Sequence, residues 1–371
     1  MTTDPLVRVQ VPTTETTALD VPDLSPDEGP APPDPQLVIL SCLLVIAVLT
    51  VAYFAADIVL PIVLALVLKL LFQPAMRLME RVHIPRSLAA LTVIIAVFAL
   101  IVAIGAAMSG PATAWAEKLP GGLLRLEERL KFLSQPVGTL QTFLHQIDNM
   151  GQSGAAAGSG PSVAEMLFKG TQHFASGFFE TLLVLFFFLA SGDTFLRRMV
   201  EIVPSFSDKR RVVALSQQIE ENVSAYLVTI TLMNGAVGVA TGIAMWACGL
   251  GDPILWGGVA FLLNFVPIMG PLVGVVLFFF AGLLVIDDLW QAFLPAGLYL
   301  VIHLIEGESV TPMLLARRFT LNPVLVIVSL IFWFWMWGVP GAILAVPMLA
   351  IAKIICDGVK PLGAIGHFLE G

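Results

Sequence analysis

Asn264-Phe265-Val266-Pro267-Ile268-Met269-Gly270-Pro271-Leu272-Val273-Gly274 lies in the middle of a long apolar stretch, Ile254 to Ile286. Each proline in it removes a backbone donor and clashes with the turn before it. Helix is therefore interrupted where the sequence is most apolar. Two readings compete: one kinked, tilted helix, or two half-helices that turn back within a membrane. Non-helical backbone at that depth survives only where it is buried in protein or lines water, which makes the run a candidate solute pathway. Half-helix ends and freed carbonyls bind polar or charged groups, and the Asn264 amide adds a donor and an acceptor. The bland reading is a packed bend with no ligand.

The rest of the chain sets this stretch in lipid. Its 371 residues are 57% hydrophobic and only 12% charged, with mean hydropathy +0.91, whereas soluble chains carry about 25% charged residues. The formal net charge of -8 owes much to acids near the N-terminus (Asp4, Glu15, Asp20, Asp23, Asp27, Glu28, Asp34), so nucleic acid is not an expected partner. Residues 1–36, acidic and rich in Pro and Thr, have the composition of a disordered tail, with no basic segment to mark a cleaved signal. Cys42, Cys248 and Cys356 each sit inside an apolar run and read as packing residues.

About twenty apolar residues in helix cross a bilayer core. Leu37 to Ala56, Ile58 to Met76, Leu88 to Met108, Thr171 to Ala190 and Tyr226 to Leu250 meet that length. Phe293 to Ile305 follows the broken stretch, and Leu321 to Ile355, interrupted by Gly338, Pro340 and Gly341, predicts a tight helical hairpin. Lys and Arg are retained on the cytoplasmic side. Placing Arg77, Arg81 and Arg86, then Arg197, Arg198, Lys209, Arg210 and Arg211, then Arg317 and Arg318 all inside makes the stretch 254–286 enter and leave by one outer face. This favours a re-entrant hairpin, with both termini cytoplasmic and Trp333, Trp335 and Trp337 at the outer interface.

The expected organisation is a tail at 1–36, transmembrane helices over 37–109, and an extracytoplasmic segment at 110–170. A fourth transmembrane helix at 171–191 and a cytoplasmic segment at 192–225 come next. The remaining spans lie within 226–360, with the hairpin at 254–286, and a cytoplasmic tail occupies 361–371. Leu123, Leu126, Leu130 and Leu133 recur at helical spacing among charged residues, predicting an amphipathic helix outside the bilayer. Gly151 to Gly160 reads as a flexible linker. Val212, Leu215, Ile219 and Val223 predict a second amphipathic helix running into the fifth span.

Among ionisable residues, Glu306 stands out in His303-Leu304-Ile305-Glu306-Gly307, with Pro312 beyond it. A carboxylate at a membrane span is costly and usually faces a cavity. Glu306 is a candidate to hold a cation, exchange a proton or pair with Arg317 or Arg318; its plain alternative is headgroup water. Glu308 reads as solvated. Glu180 is a candidate for proton coupling or an interfacial carboxylate, and His303 sits beside the proposed pathway. Gly238 with Gly242, and Gly270 with Gly274, have the spacing that permits close helix approach. No nucleotide-binding Gly/Lys loop, metal-ligand box or catalytic triad is evident, so an enzyme is not expected and no cofactor or metal is implied.

Together with Ile305-Glu306-Gly307, Thr311-Pro312, Leu321-Asn322-Pro323 and Gly338-Val339-Pro340-Gly341-Ala342-Ile343-Leu344-Ala345-Val346-Pro347, the opening run resembles the autoinducer-2 exporter family, the PerM-like permeases. The resemblance covers about Asn222 to Lys360, with the hydropathy fitting from Leu37. It departs at Ile268-Met269, where the family often has an aromatic followed by Ile or Leu. The resemblance implies about eight transmembrane helices; with the hairpin and amphipathic segments read above, the expected fold is an all-α polytopic membrane protein with a re-entrant helical hairpin and amphipathic helices outside the bilayer. It further implies transport without bound nucleotide, in a bacterial inner membrane, by homo-oligomers among some relatives.

The leading expectation is export of a small polar solute, driven by an ion gradient, past Asn264, Pro267, Gly270, Pro271, Gly274, Glu306 and Pro312. Sodium or lithium exchange for protons, with Glu306, Glu180 or His303 titrating, is the alternative within transport. A membrane scaffold or regulator, acting through its amphipathic segments, is the alternative outside it.

Overall fold

The computed structural model describes residues 35–130, 163–192, 194–202, 205–307, 321–358, 366–367 and 369, and among these the regular structure is helical. In chain order the helices are α1 (Pro35–Phe54), α2 (Ala56–Arg81), α3 (Arg86–Leu130), α4 (Val163–Ser191), α5 (Thr194–Ile202), α6 (Phe206–Ala247), α7 (Pro253–Leu263), α8 (Met269–Val285), α9 (Leu289–Ala292), α10 (Leu294–Ile305) and α11 (Pro323–Gly358). The chain divides into a unit of residues Met1–Ala47, whose described part is the start of α1, and a unit of Val48–Gly371. The expected tails, the linker at Gly151 to Gly160 and the stretch holding Glu308, Pro312, Arg317 and Arg318 lie outside the described residues.

Among the described residues four helices are long and apolar enough to cross a membrane: Ala56–Arg81, Arg86–Glu117, Asp208–Ala247 and Pro323–Gly358. Ala175–Ser191 with Leu196–Ile202, bent by 65°, makes a fifth. Shorter apolar helices, Pro253–Leu263, Met269–Val285 and Leu289–Ile305 among them, complete an all-α polytopic membrane protein.

One helix runs further than the hydropathy reading and another is as continuous as it predicts. The third span does not stop near Met108, because α3 runs on to Leu130 and takes in the start of the amphipathic segment. Pro111 sits inside this helix; it costs one ladder bond, while Ser109 Oγ donates to the Ala106 carbonyl (2.8 Å) and Thr113 Oγ1 to the Gly110 carbonyl (2.8 Å) beside it. Likewise α6 is one helix of 42 residues, the amphipathic segment and the fifth span in a single rod, as the continuity of the two patterns predicts.

Helices in lipid gain little from apolar burial against one another, so close packing at small residues carries their association. The crossing of α6 and α7 is built that way. A turn with Gly249 and Gly251 at positive φ (81° and 73°) reverses the chain after α6, and Pro253 opens α7. The two backbones then meet at glycine: a Cβ on Gly257 would lie 2.7 Å from the Gly238 carbonyl oxygen, and one on Gly238 would lie 2.8 Å from that of Gly257. Gly242 packs against Pro253 in the same seam.

The opening stretch is a hairpin of two helices. Its arms hold 11 and 17 residues, about 16 and 25 Å long against a hydrocarbon core of about 30 Å. In one continuous helix Trp256 and Phe278 would stand about 33 Å apart; their ring centroids are 5.4 Å apart. The second arm continues against α10, where Phe278 meets Tyr299 at 4.6 Å and Gly274 lies under the Tyr299 ring with no room for a Cβ.

A second hairpin forms within α11. Gly338, at φ 64° and ψ -143°, breaks the helix, and Ser329 Oγ on one arm donates to the Ala345 carbonyl on the other at 3.0 Å. This is the turn predicted at Gly338 to Gly341. Its tryptophans hold the end of α1: Trp337 Nε1 donates to the Ala52 carbonyl (3.1 Å) and Trp335 stacks on Tyr53 at 5.2 Å. Leu330, Ala342 and Ala345 form a core with Val266 of the first hairpin, so the two broken elements pack together.

The α6/α7 seam gives a stability test. Gly257→Val forces a side chain into the Gly238 carbonyl and is expected to destabilise by about 1–3 kcal/mol or more, whereas Gly235→Val, with nothing within 4 Å of a Cβ, is tolerated. Thermal unfolding of the purified protein in detergent reads the difference, and equal midpoints for both variants would contradict the packing.

Candidate functional site

At the tip of the first hairpin the backbone unwinds in steps that leave few loose ends. The amides of Asn264, Phe265 and Val266 donate to the carbonyls of Ala260 (3.1 Å), Leu262 (3.3 Å) and Leu263 (3.0 Å). Pro267, Ile268 and Met269 then form a γ-turn: Ile268 has φ 64° and ψ -55°, and the Met269 amide reaches the Pro267 carbonyl at 2.6 Å. That turn is rare and strained, the more so for a β-branched residue. The Gly270 amide closes the far side on the Val266 carbonyl at 2.9 Å. Gly270 itself presses on the Leu263 carbonyl, where a Cβ would collide.

This tip forms one wall of a cavity of about 530 Å³. Asn264, Pro267, Ile268 and Pro271 line it from the break, Thr231 and Asn234 from α6, and Leu64 and Leu68 from α2; Glu306, Ile343 and Pro347 close it. Residues far apart in sequence thus meet at the interrupted helix. The polar groups are few and the walls mainly apolar, which is the usual make-up of a small-molecule site.

The sequence-predicted residues fall into three groups. Asn264, Pro267, Pro271 and Glu306 converge on the cavity. Gly270 and Gly274 do not border it; they permit the tight turn and the seat of Tyr299 that shape it. Glu180 is exposed on α4 and is not among the bordering residues. Pro312 lies outside the described residues. His303, one turn before Glu306, is buried behind the wall: its Nδ1 stands 3.8 Å from Glu306 Oε2, with both side chains mostly enclosed, and its ring meets Tyr299 edge-on at 4.5 Å.

Sequence reasoning missed Asn234. It is fully buried in α6 and accepts a hydrogen bond from Asn264 Nδ2 at 2.9 Å, tying the broken element to the long helix. The available signal was its place as the one carboxamide in the apolar run Tyr226 to Leu250. Also missed was a second, charged cavity of about 710 Å³ along the same pair of helices. Gln73, Arg77, Glu80, Arg86, Arg197, Glu201, Glu220 and Glu221 border it. There Glu220 of α6 accepts from Gln73 Nε2 (2.8 Å) and Arg77 (2.5 Å) of α2, and Arg86 pairs with Glu80 at 2.6 Å. The arginines that set orientation in the sequence reading are therefore partly neutralised by carboxylates. Among the described residues no group of three His, Cys, Asp or Glu is placed to hold a metal.

Comparison with known proteins bears on this geometry. The model of the family described as AI-2E family transporter matches residues 42–360, a longer span than the motifs alone cover. The chain is similar to the AI-2 transport protein TqsA of Escherichia coli, 28% identical over 335 residues that cover 87% of this chain and 92% of that protein. It is also similar to a protein of Haemophilus influenzae, 24% identical over 84% of this chain and 90% of that one. Another relative, in Mycobacterium tuberculosis, is 26% identical over 85% and 86%. The names of the last two propose transport and specify no solute.

The strained tip offers a test of the site's construction. Ile268→Gly relieves a backbone conformation that costs about 1–3 kcal/mol, against about 0.5–1 kcal/mol lost to glycine's freedom when unfolded. The expected net is a stabilisation of roughly 1 kcal/mol, seen as a higher thermal midpoint in detergent. A lower midpoint would show that the γ-turn is not held against strain.

Proposed function

Because the chain belongs to the AI-2E transporter family, we propose that this membrane transporter exports a small polar solute of the autoinducer-2 kind through the cavity at the Asn264 to Gly274 break. The observation that carries the proposal is the convergence of Asn264, Pro267, Pro271 and Glu306 on one cavity of about 530 Å³. A solute leaving water needs replacement partners within otherwise apolar walls, and the amide and carboxylate supply them. The E. coli relative is named for AI-2 transport, which supports the choice of solute. Export is proposed to run across the bacterial inner membrane, driven by an ion gradient, in a homo-oligomer with both termini cytoplasmic. The charged cavity of Arg77 and Glu220 then lies on the cytoplasmic side, where the positive-inside bias puts its arginines.

A second reading, exchange of sodium or lithium for protons, draws on one observation. His303 and Glu306 form an enclosed pair at 3.8 Å, and ionisable groups so placed in membrane proteins often relay protons. The exposed Glu180 gives this reading less support.

Everted vesicles separate the two. Under the export reading, autoinducer-2 accumulation falls about tenfold or more for Glu306→Ala and for Pro267→Leu at normal protein level, since each removes a wall of the cavity. Unchanged accumulation in both variants refutes it. Under the exchange reading, Glu306→Gln abolishes a pH-dependent sodium flux instead; the absence of any such flux in the unmodified protein removes that alternative.

A further inference from the structure

Asn234 is buried completely and borders the cavity. Its Oδ1 is used by Asn264. Its Nδ2 is enclosed and has no hydrogen-bond partner among the described residues. An amide N–H removed from water without a partner is unfavourable, more so in the low dielectric of a membrane protein's interior. The same cavity is bordered by the Glu306 carboxylate and by the apolar side chains of Leu64, Leu68, Leu344 and Val346.

We infer that Asn234 is a solute-recognition residue, whose amide N–H donates to an oxygen of an uncharged solute and thereby selects such a solute over an inorganic cation. The inference rests on the export reading and deepens it. An oxygen acceptor on the solute satisfies the enclosed donor, and the apolar side chains around it suit the carbon skeleton of a small uncharged molecule. A bare cation can sit beside the Glu306 carboxylate but leaves the enclosed N–H unpaired, since it repels the positive end of that bond. Discrimination of this kind is strong, because a buried polar group left unpaired by the wrong ligand penalises that ligand. A merely structural role for Asn234 would be to tie α6 to the hairpin tip through Asn264.

The test uses full-length protein in nanodiscs, titrated with autoinducer-2 and separately with sodium chloride, in the unmodified form and as Asn234→Val, Asn234→Asp and Asn234→Ser. Valine removes the donor and the unpaired group together, aspartate replaces the donor by an acceptor, and serine keeps a hydroxyl donor. The expected result is affinity for autoinducer-2 about tenfold or more weaker in the valine and aspartate variants and an intermediate value for serine. Should the aspartate variant fail to fold, the valine and serine variants carry the comparison. Unaltered affinity with a lowered midpoint in the valine variant overturns the recognition role and leaves export standing. An unmodified protein that binds no autoinducer-2 overturns both, and aspartate that preserves binding shows that the donor is not the selecting group.

Discussion

A backbone amide or carbonyl inside a bilayer has no water to turn to, so every place where helix stops in lipid must find its partners within the protein. The tip at Asn264 to Met269 meets that demand locally. Its amides reach back to Ala260, Leu262 and Leu263, the γ-turn at Ile268 closes Met269 on Pro267, and Gly270 closes on Val266. The cost is a β-branched residue held at φ 64°. Once the break is self-sufficient, its side chains are free to serve other ends, and those of Asn264, Pro267 and Pro271 become the wall of a cavity.

The same demand explains what surrounds the tip. Short arms cannot bury their flanks by spanning, so they lean on neighbours through glycine: Gly257 on Gly238, Gly274 under Tyr299. These contacts fix α7 to α6 and α8 to α10. Because α6 is a continuous rod, it links two sites that are chemically unlike. Glu220, in the charged cavity, and Asn234, in the apolar one, stand about 21 Å apart along it.

Much of this was legible in the sequence, and the limits have physical causes. The hairpin at 254–286 was readable because proline and glycine act locally on the backbone, and the same holds for the turn at Gly338. Continuity of α6 followed from two apolar patterns in register. The run of α3 past Met108 was not readable, because the sequence does not say that hydroxyls of Ser109 and Thr113 will sit on the carbonyls beside Pro111. At the site, Asn264, Pro267, Pro271 and Glu306 announced themselves as polar or helix-breaking groups in apolar surroundings. Leu64, Leu68 and Thr231 could not, since which face a helix turns to a cavity depends on packing between distant segments. Glu180, equally conspicuous as an acid in an apolar run, is exposed on α4; an ionisable residue in such a run marks a candidate without fixing its direction.

Three cavities among the described residues differ in what they can offer a solute. The charged one is lined by arginines and carboxylates, two pairs of which, Arg77 with Glu220 and Arg86 with Glu80, satisfy each other, and it suits a charged solute better than a neutral one. A third, of about 350 Å³ between α3, α7 and α8, is walled by Ala112, Trp115, Val259, Leu277 and Phe280 and suits hydrocarbon. The cavity at the hairpin tip combines apolar walls with a carboxylate and an amide, and it alone of the three adjoins a break in the helix. Exchange of hydration for protein partners is the central difficulty of moving a polar molecule through lipid. That exchange is most nearly balanced where the chain has already had to arrange polar groups around its own interrupted backbone.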